Sequence, residues 1–146
     1  MLVCCEDSGR ISLLSELGSI LFEVEIGDRA LAGSISTDGK LVAVGGYSKK
    51  VTLLDASSGK VLIEADFGVV KSLCFSGALL AAGGKHGELT VFDVSSLTPR
   101  WNCHRSACSV KELCFSPDGS YLAFCGTDHK IGLLDEGGNT IWELDT

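Results

Sequence analysis

Three histidines, seven cysteines and several paired carboxylates are the side chains in this sequence with the potential for chemistry. Cys103-His104 with Cys108 has zinc-ligand types, but it supplies three ligands where a structural site closes on four. His86, His104 and His129 lie in separate stretches of the chain, and a metal needs its ligands within a few ångströms of one another. Cys4-Cys5 resembles an acylation site, yet Glu6-Asp7 carry the wrong charge for the second membrane signal that such an anchor requires. Gly45-Gly46 before Tyr47 end an apolar run and open no helix, so they form no phosphate cradle. Neither a Gly-x-Ser-x-Gly elbow nor a His-Glu-x-x-His pair occurs. No metal, no cofactor and no enzymatic activity are therefore expected.

What positions these residues is a repeat. Leu41 to Asp55, Leu79 to Asp93 and Tyr121 to Asp135 each run from a short apolar stretch through a polar turn to a closing aspartate, and the aspartates are 38 and 42 residues apart. Leu2 to Ser15 is a weaker copy, with Ser15 standing 40 residues before Asp55. Self-similarity at this period marks a β-propeller, in which each repeat is one four-stranded antiparallel sheet, or blade. The fold class is accordingly all-β: a partial ring of about four blades, three complete and the first lacking its first strand. The chain is a single domain with repeats at about 1–27, 28–67, 68–106 and 107–146, and fifteen strands in all. Eighteen glycines against two prolines suit many short strands joined by tight turns.

Strands are named a to d within each blade. Strand a repeats Val70, Leu73, Phe75 and Val110, Leu113, Phe115, with Cys74 and Cys114 between the last two; these thiols, like Cys125, read as small core hydrophobes. Strand d carries alternating carboxylates at Glu23 and Glu25, Glu64 and Asp66, and Glu143 and Asp145, which suit an outer edge that must not recruit a stray strand. The third copy, Arg100-Trp101-Asn102-Cys103-His104-Arg105, departs from that rule. Because Trp and Arg are enriched at binding hot spots, Arg100 and Trp101 are a candidate partner-binding edge.

These repeats resemble the WD-repeat family of β-propellers, most closely over Ser109 to Asp135. The family's terminal Trp-Asp pair is matched by Leu54-Asp55, Phe92-Asp93 and Leu134-Asp135, its turn aspartate by Asp128 and its histidine by His104. The resemblance implies a non-enzymatic scaffold or complex subunit that binds proteins through loops at the ends of the ring. The d–a and b–c loops share one end, the top, and place Arg29, Tyr47, Lys49, His86, His104, Arg105 and His129 there as candidate partner contacts. A second resemblance lies at Gly137 to Trp142, which is similar to the Gly-x-x-x-Trp ends of quinone-cofactor propeller repeats. It implies the alternative function, a quinone-type enzyme or ligand sensor.

A net charge of −7 argues against nucleic acid as a partner. No apolar run is long enough to span a bilayer as a helix, so no membrane partner is expected. MLVCCEDSGR has neither the basic start nor the apolar stretch of a signal peptide, and the odd number of unframed cysteines suits a reducing compartment. The expected location is cytoplasmic, with the nucleus as the other reducing compartment. Because the first blade lacks strand a, the ring is expected to be completed from outside, by a protein partner or by self-association.

Overall fold

The computed structural model describes residues 1–105 and 108–146; the expected boundary between the third and fourth repeats, at 106/107, lies outside them. Among the described residues, fifteen strands form four antiparallel sheets. Blade 1 has three strands, β1 (Leu2–Cys5), β2 (Arg10–Leu14) and β3 (Ile20–Glu25). Blade 2 has β4 (Ala30–Ile35), β5 (Leu41–Gly46), β6 (Lys50–Asp55) and β7 (Val61–Asp66). Blade 3 has β8 (Val70–Ser76), β9 (Leu79–Gly84), β10 (Glu88–Asp93) and β11 (Thr98–His104), and blade 4 has β12 (Val110–Phe115), β13 (Tyr121–Gly126), β14 (Lys130–Asp135) and β15 (Thr140–Asp145). This is the partial propeller that the repeats predict.

Strands b and c read as continuous apolar runs because both of their faces are covered. In β5, Val42 and Val44 pack toward blade 1 with Ile11, Leu13 and Leu54, while Ala43 packs toward blade 3 with Val51, Leu53, Val70 and Leu80. A third core, between blades 3 and 4, holds Leu89, Val91, Val110, Leu113, Leu122 and Phe124. Each fully buried aliphatic side chain contributes about 1.5–3 kcal/mol, so stacking of blades, and not pairing within a sheet, supplies most of the stability. The stacking is close enough to dictate glycine at one position of strand b. A Cβ on Gly45 would lie 2.7 Å from Val70 Cβ, and one on Gly83 would lie 2.6 Å from Val110 Cγ1.

Turn aspartates fix the hairpins. Asp38 Oδ1 accepts hydrogen bonds from Ser36 Oγ at 2.7 Å and Lys40 N at 3.1 Å, and Asp118 repeats this with Ser116 Oγ and Ser120 N in blade 4. The aspartates that close strand c do the same for the c–d turn: Asp55 holds Ser57, Asp93 holds Ser95, and Asp135 holds Gly137 and Asn139. Their regular recurrence is the Asx chemistry of a blade's turns, and any propeller of four-stranded sheets has use for it.

These hydrogen bonds hold the Asp118 carboxyl at about 2, and they lower Asp38, Asp55, Asp93 and Asp135 as well. A carboxyl with a folded pKa below its unfolded value of 3.8 adds stability above that value, and the contribution is lost as pH falls from there toward 2. The melting temperature is therefore expected to be flat from pH 7 to 5 and to fall between about pH 4 and 2. Asp118→Asn should make that acid limb shallower; an unchanged limb in calorimetry would contradict the assignment.

Candidate partner-binding face

The top end is built from the d–a and b–c loops, which the strands of each blade hold by backbone hydrogen bonds. Tyr47 N donates to Arg29 O, Lys85 N to Val69 O and Thr127 N to Ser109 O, so Tyr47, Lys85 and Thr127 occupy one equivalent position in successive blades. The residue before strand c is left-handed in every blade: Gly9 at φ 90°, Lys49 at 61°, Gly87 at 95° and His129 at 61°. Lys49 and His129 thus occupy a backbone conformation that normally selects glycine, and their side chains stand exposed at the top.

The structure sorts the candidate residues into two groups. Arg29, Lys49, His86, His104 and His129 are exposed, with Tyr47 half-buried among them. Arg29 Cζ lies 5.4 Å from the Tyr47 ring centroid, and Lys71 and Lys85 approach the same ring. Arg29 also pairs with Asp7 across the blade 1 boundary at 3.0 Å. The three histidines stand on separate loops, and among the described residues no group of three or more His, Cys, Asp and Glu side chains is placed to hold a metal.

Arg105 and Trp101 form the other group, because blade 4 covers them. Arg105 forms an ion pair with Glu143, donates from Nη1 to Thr140 Oγ1 at 3.3 Å and lies 4.5 Å from the Phe124 ring centroid. Trp101 Nε1 donates to Glu136 O at 2.9 Å, and its ring abuts Gly138, where a Cβ would come within 2.6 Å. Both residues therefore join blade 3 to blade 4, and only Arg100 of that stretch is exposed apart from Asn102 and His104. The change in β11 is accompanied by a change in the strand beside it. In the other blades Arg10, Lys50 and Lys130 at the start of strand c oppose Glu25, Asp66 and Asp145 in strand d, and they pair with Glu23, Glu64 and Glu143. In blade 3 Glu88 takes the cation's place and opposes His104. The strand d carboxylates, expected as edge protection, are in this way also partners of strand c.

Burial decides the state of the thiols. Desolvation pushes Cys74 up to about 12 and Cys5 to about 11, so both are protonated and inert at neutral pH. Cys114, expected in the core, is exposed, and Cys125 is half-buried. They lie on the face of blade 4 that no other described blade covers, together with Ala123, Ile131 and Trp142 around an apolar hollow of about 260 Å³.

A family model described as outer membrane protein assembly factor BamB matches residues 7–146, almost the whole chain. The chain belongs to this BamB family. The crystal structure of BamB from Moraxella catarrhalis superposes with a TM-score of 0.84 at 20% identity, over 98% of this chain and 44% of that one, so the chain spans less than half the length of that protein. The WD-repeat assignment is thereby corrected to a PQQ-like propeller of BamB type. The residues that suggested WD repeats have local roles: the closing aspartates cap turns, His104 stands exposed at the end of β11, and Asp128 Oδ1 is buried without a hydrogen-bond partner among the described residues, so no His–Asp network joins the blades. In the Gly137 to Trp142 stretch, Gly138 is the surface on which Trp101 docks. The cytoplasmic or nuclear location does not stand either, since the family is named for outer membrane protein assembly. Free cysteines can serve as small packing groups, so their number carries no information about the compartment.

Two measurements follow from this geometry. Trp101→Ala is expected to cost about 3 kcal/mol in urea unfolding, as buried Trp truncations do, whereas Trp142→Ala, exposed on the free face, should cost under about 1 kcal/mol. Equal losses would place Trp101 outside the interface between blades. In timed iodoacetamide labelling of the native chain, Cys114 should react first and Cys108, Cys74 and Cys5 last, and the reverse order would refute the burial assignments.

Proposed function

We propose that this chain is a non-enzymatic part of a BamB-type propeller, acts in the assembly of outer-membrane proteins, and meets a protein partner through its top-face loops. The BamB family match over residues 7–146 carries the reading. The engagement of the groups that could have done chemistry supports it: the turn aspartates cap hairpins, the Cys74 and Cys5 thiols stay protonated, and the histidines stand on separate loops. In the Gly137 to Trp142 stretch, which suggested the quinone-type alternative, Gly138 has a packing role as the surface on which Trp101 docks.

Further blades complete the ring in this reading. Ile11 and Leu89, which face the next blade in blades 1 and 3, are both 0% exposed, whereas their equivalent Ile131 in blade 4 is 36% exposed and its neighbours Trp142 and Leu144 are 42% and 57% exposed. In composition that open face most resembles the face blade 1 turns to blade 2. Cys5, Ile11, Leu13, Phe22 and Val24 of blade 1 correspond in register to Cys125, Ile131, Leu133, Trp142 and Leu144 of blade 4. Cys5 is accommodated by Gly33 on β4, where a Cβ would lie 2.8 Å from its Sγ. A blade seated on Cys125 therefore needs an equally small residue in its strand a.

A photo-crosslinking residue at His86 or at His129 should give adducts with outer-membrane assembly components in the envelope of its own cells. The same residue at Ser58, in a c–d turn at the opposite end, should give none. Adducts at Ser58 alone would remove the top face from consideration. Loss of the chain should lower the amount of folded outer-membrane β-barrel protein, and unchanged levels would defeat the reading.

A further inference from the structure

We propose that Tyr47 and the three cations around it form a recognition site for an acidic protein segment, an inference that rests on the top-face reading above. Arg29 Cζ lies 5.4 Å, Lys85 Nζ 5.5 Å and Lys71 Nζ 6.0 Å from the Tyr47 ring centroid. These residues arrive from four places: the loop before β4, the b–c turn of blade 2, the start of β8 and the b–c turn of blade 3. Lys71 is brought in by a β-bulge. The register of β8 against β9 shifts between Val70 and Ser72, which leaves Lys71 as the extra residue and re-aims its side chain. In a chain of net charge −7, three positive charges gathered on one ring invert the local sign.

The cluster already holds one carboxylate. Asp7 accepts from Arg29 Nη2 at 3.0 Å and from Arg29 Nε at 3.4 Å. Among the described residues no carboxylate lies within 4.0 Å of Lys71 or Lys85. The acidic residues of the same loops are turned to the backbone instead: Asp28 accepts from Arg29 N at 2.7 Å and Glu88 from His86 N at 2.9 Å. Two cations therefore stand unmatched beside an aromatic surface. Their shape of charge favours an extended anion. The cations are spread around a ring, whereas a single phosphate is held by donors converging on one point. Alternate side chains of an extended segment project on one side about 7 Å apart, which suits successive carboxylates reaching neighbouring cations while the segment lies across the rigid Tyr47 ring.

Calorimetric titration of the full chain with a hexaglutamate peptide tests this, with inorganic phosphate and phosphatidylglycerol vesicles titrated in parallel. The peptide should bind, and binding should weaken as salt is raised from about 0.05 to 0.5 M. Lys71→Glu combined with Lys85→Glu should lower affinity at least about tenfold, and Lys85→Gln alone about threefold. Lys60→Glu, in a c–d turn at the other end, should leave it unchanged, and circular dichroism should show that all variants are folded. No peptide binding, undiminished binding by the double variant, or tighter binding of phosphate or vesicles than of the peptide would overturn the proposal. Failure of the peptide alongside top-face crosslinks in cells defeats this inference alone. Peptide binding without those crosslinks defeats the functional reading and leaves the anion site standing.

Discussion

A blade of this fold has two apolar faces, and neither can be left in water without cost. Every other property of the chain follows from the need to sandwich each sheet between two others. It explains why β5 and β9 are apolar throughout while β3 and β7 alternate, since strands b and c are covered on both sides and strand d reaches the rim. It also explains the glycines at 45 and 83, where strand a of the next blade crosses too closely for any side chain. Blade 4 breaks the series with Cys125, whose counterparts in blades 2 and 3 are those glycines.

Polar interactions refine what this sandwiching sets up. Trp101 docks through its ring on Gly138 and through Nε1 on a carbonyl of the next blade, so a single side chain fixes both the distance and the angle between two sheets. Arg105 adds a cation over Phe124 and an ion pair with Glu143, which Lys130 also approaches at 2.8 Å. These contacts lie toward the rim, where the apolar core thins. They hold orientation, and the core holds the blades together.

Much of the fold was legible because the signals that declare a propeller are local: the spacing of Asp55, Asp93 and Asp135, the Ser-x-Asp-Gly turns and the apolar runs all arise within one repeat. The family was less legible because those signals are common to propellers of different ancestry. The candidate face was readable only in part. Arg29 and Tyr47 could be placed at the top by loop order, but Lys71 looked like an ordinary strand residue because a bulge leaves no mark in an alternating pattern. Arg105 and Trp101 were conspicuous in sequence for their type, and their type serves packing. The change in β11 is accompanied by Glu88, one strand away, at the position of Arg10, Lys50 and Lys130.

The bulge on strand a recurs in three blades, around Leu31, Lys71 and Lys111. A residue inserted in this way is paired to neither neighbour in the ladder, so its identity is nearly uncoupled from the fit of the sheets. Each of these three blades thus keeps one free letter near the mouth of the ring. A lineage of such repeats can respell that mouth letter by letter, from leucine to lysine or beyond, and never reopen the question of how the blades stack.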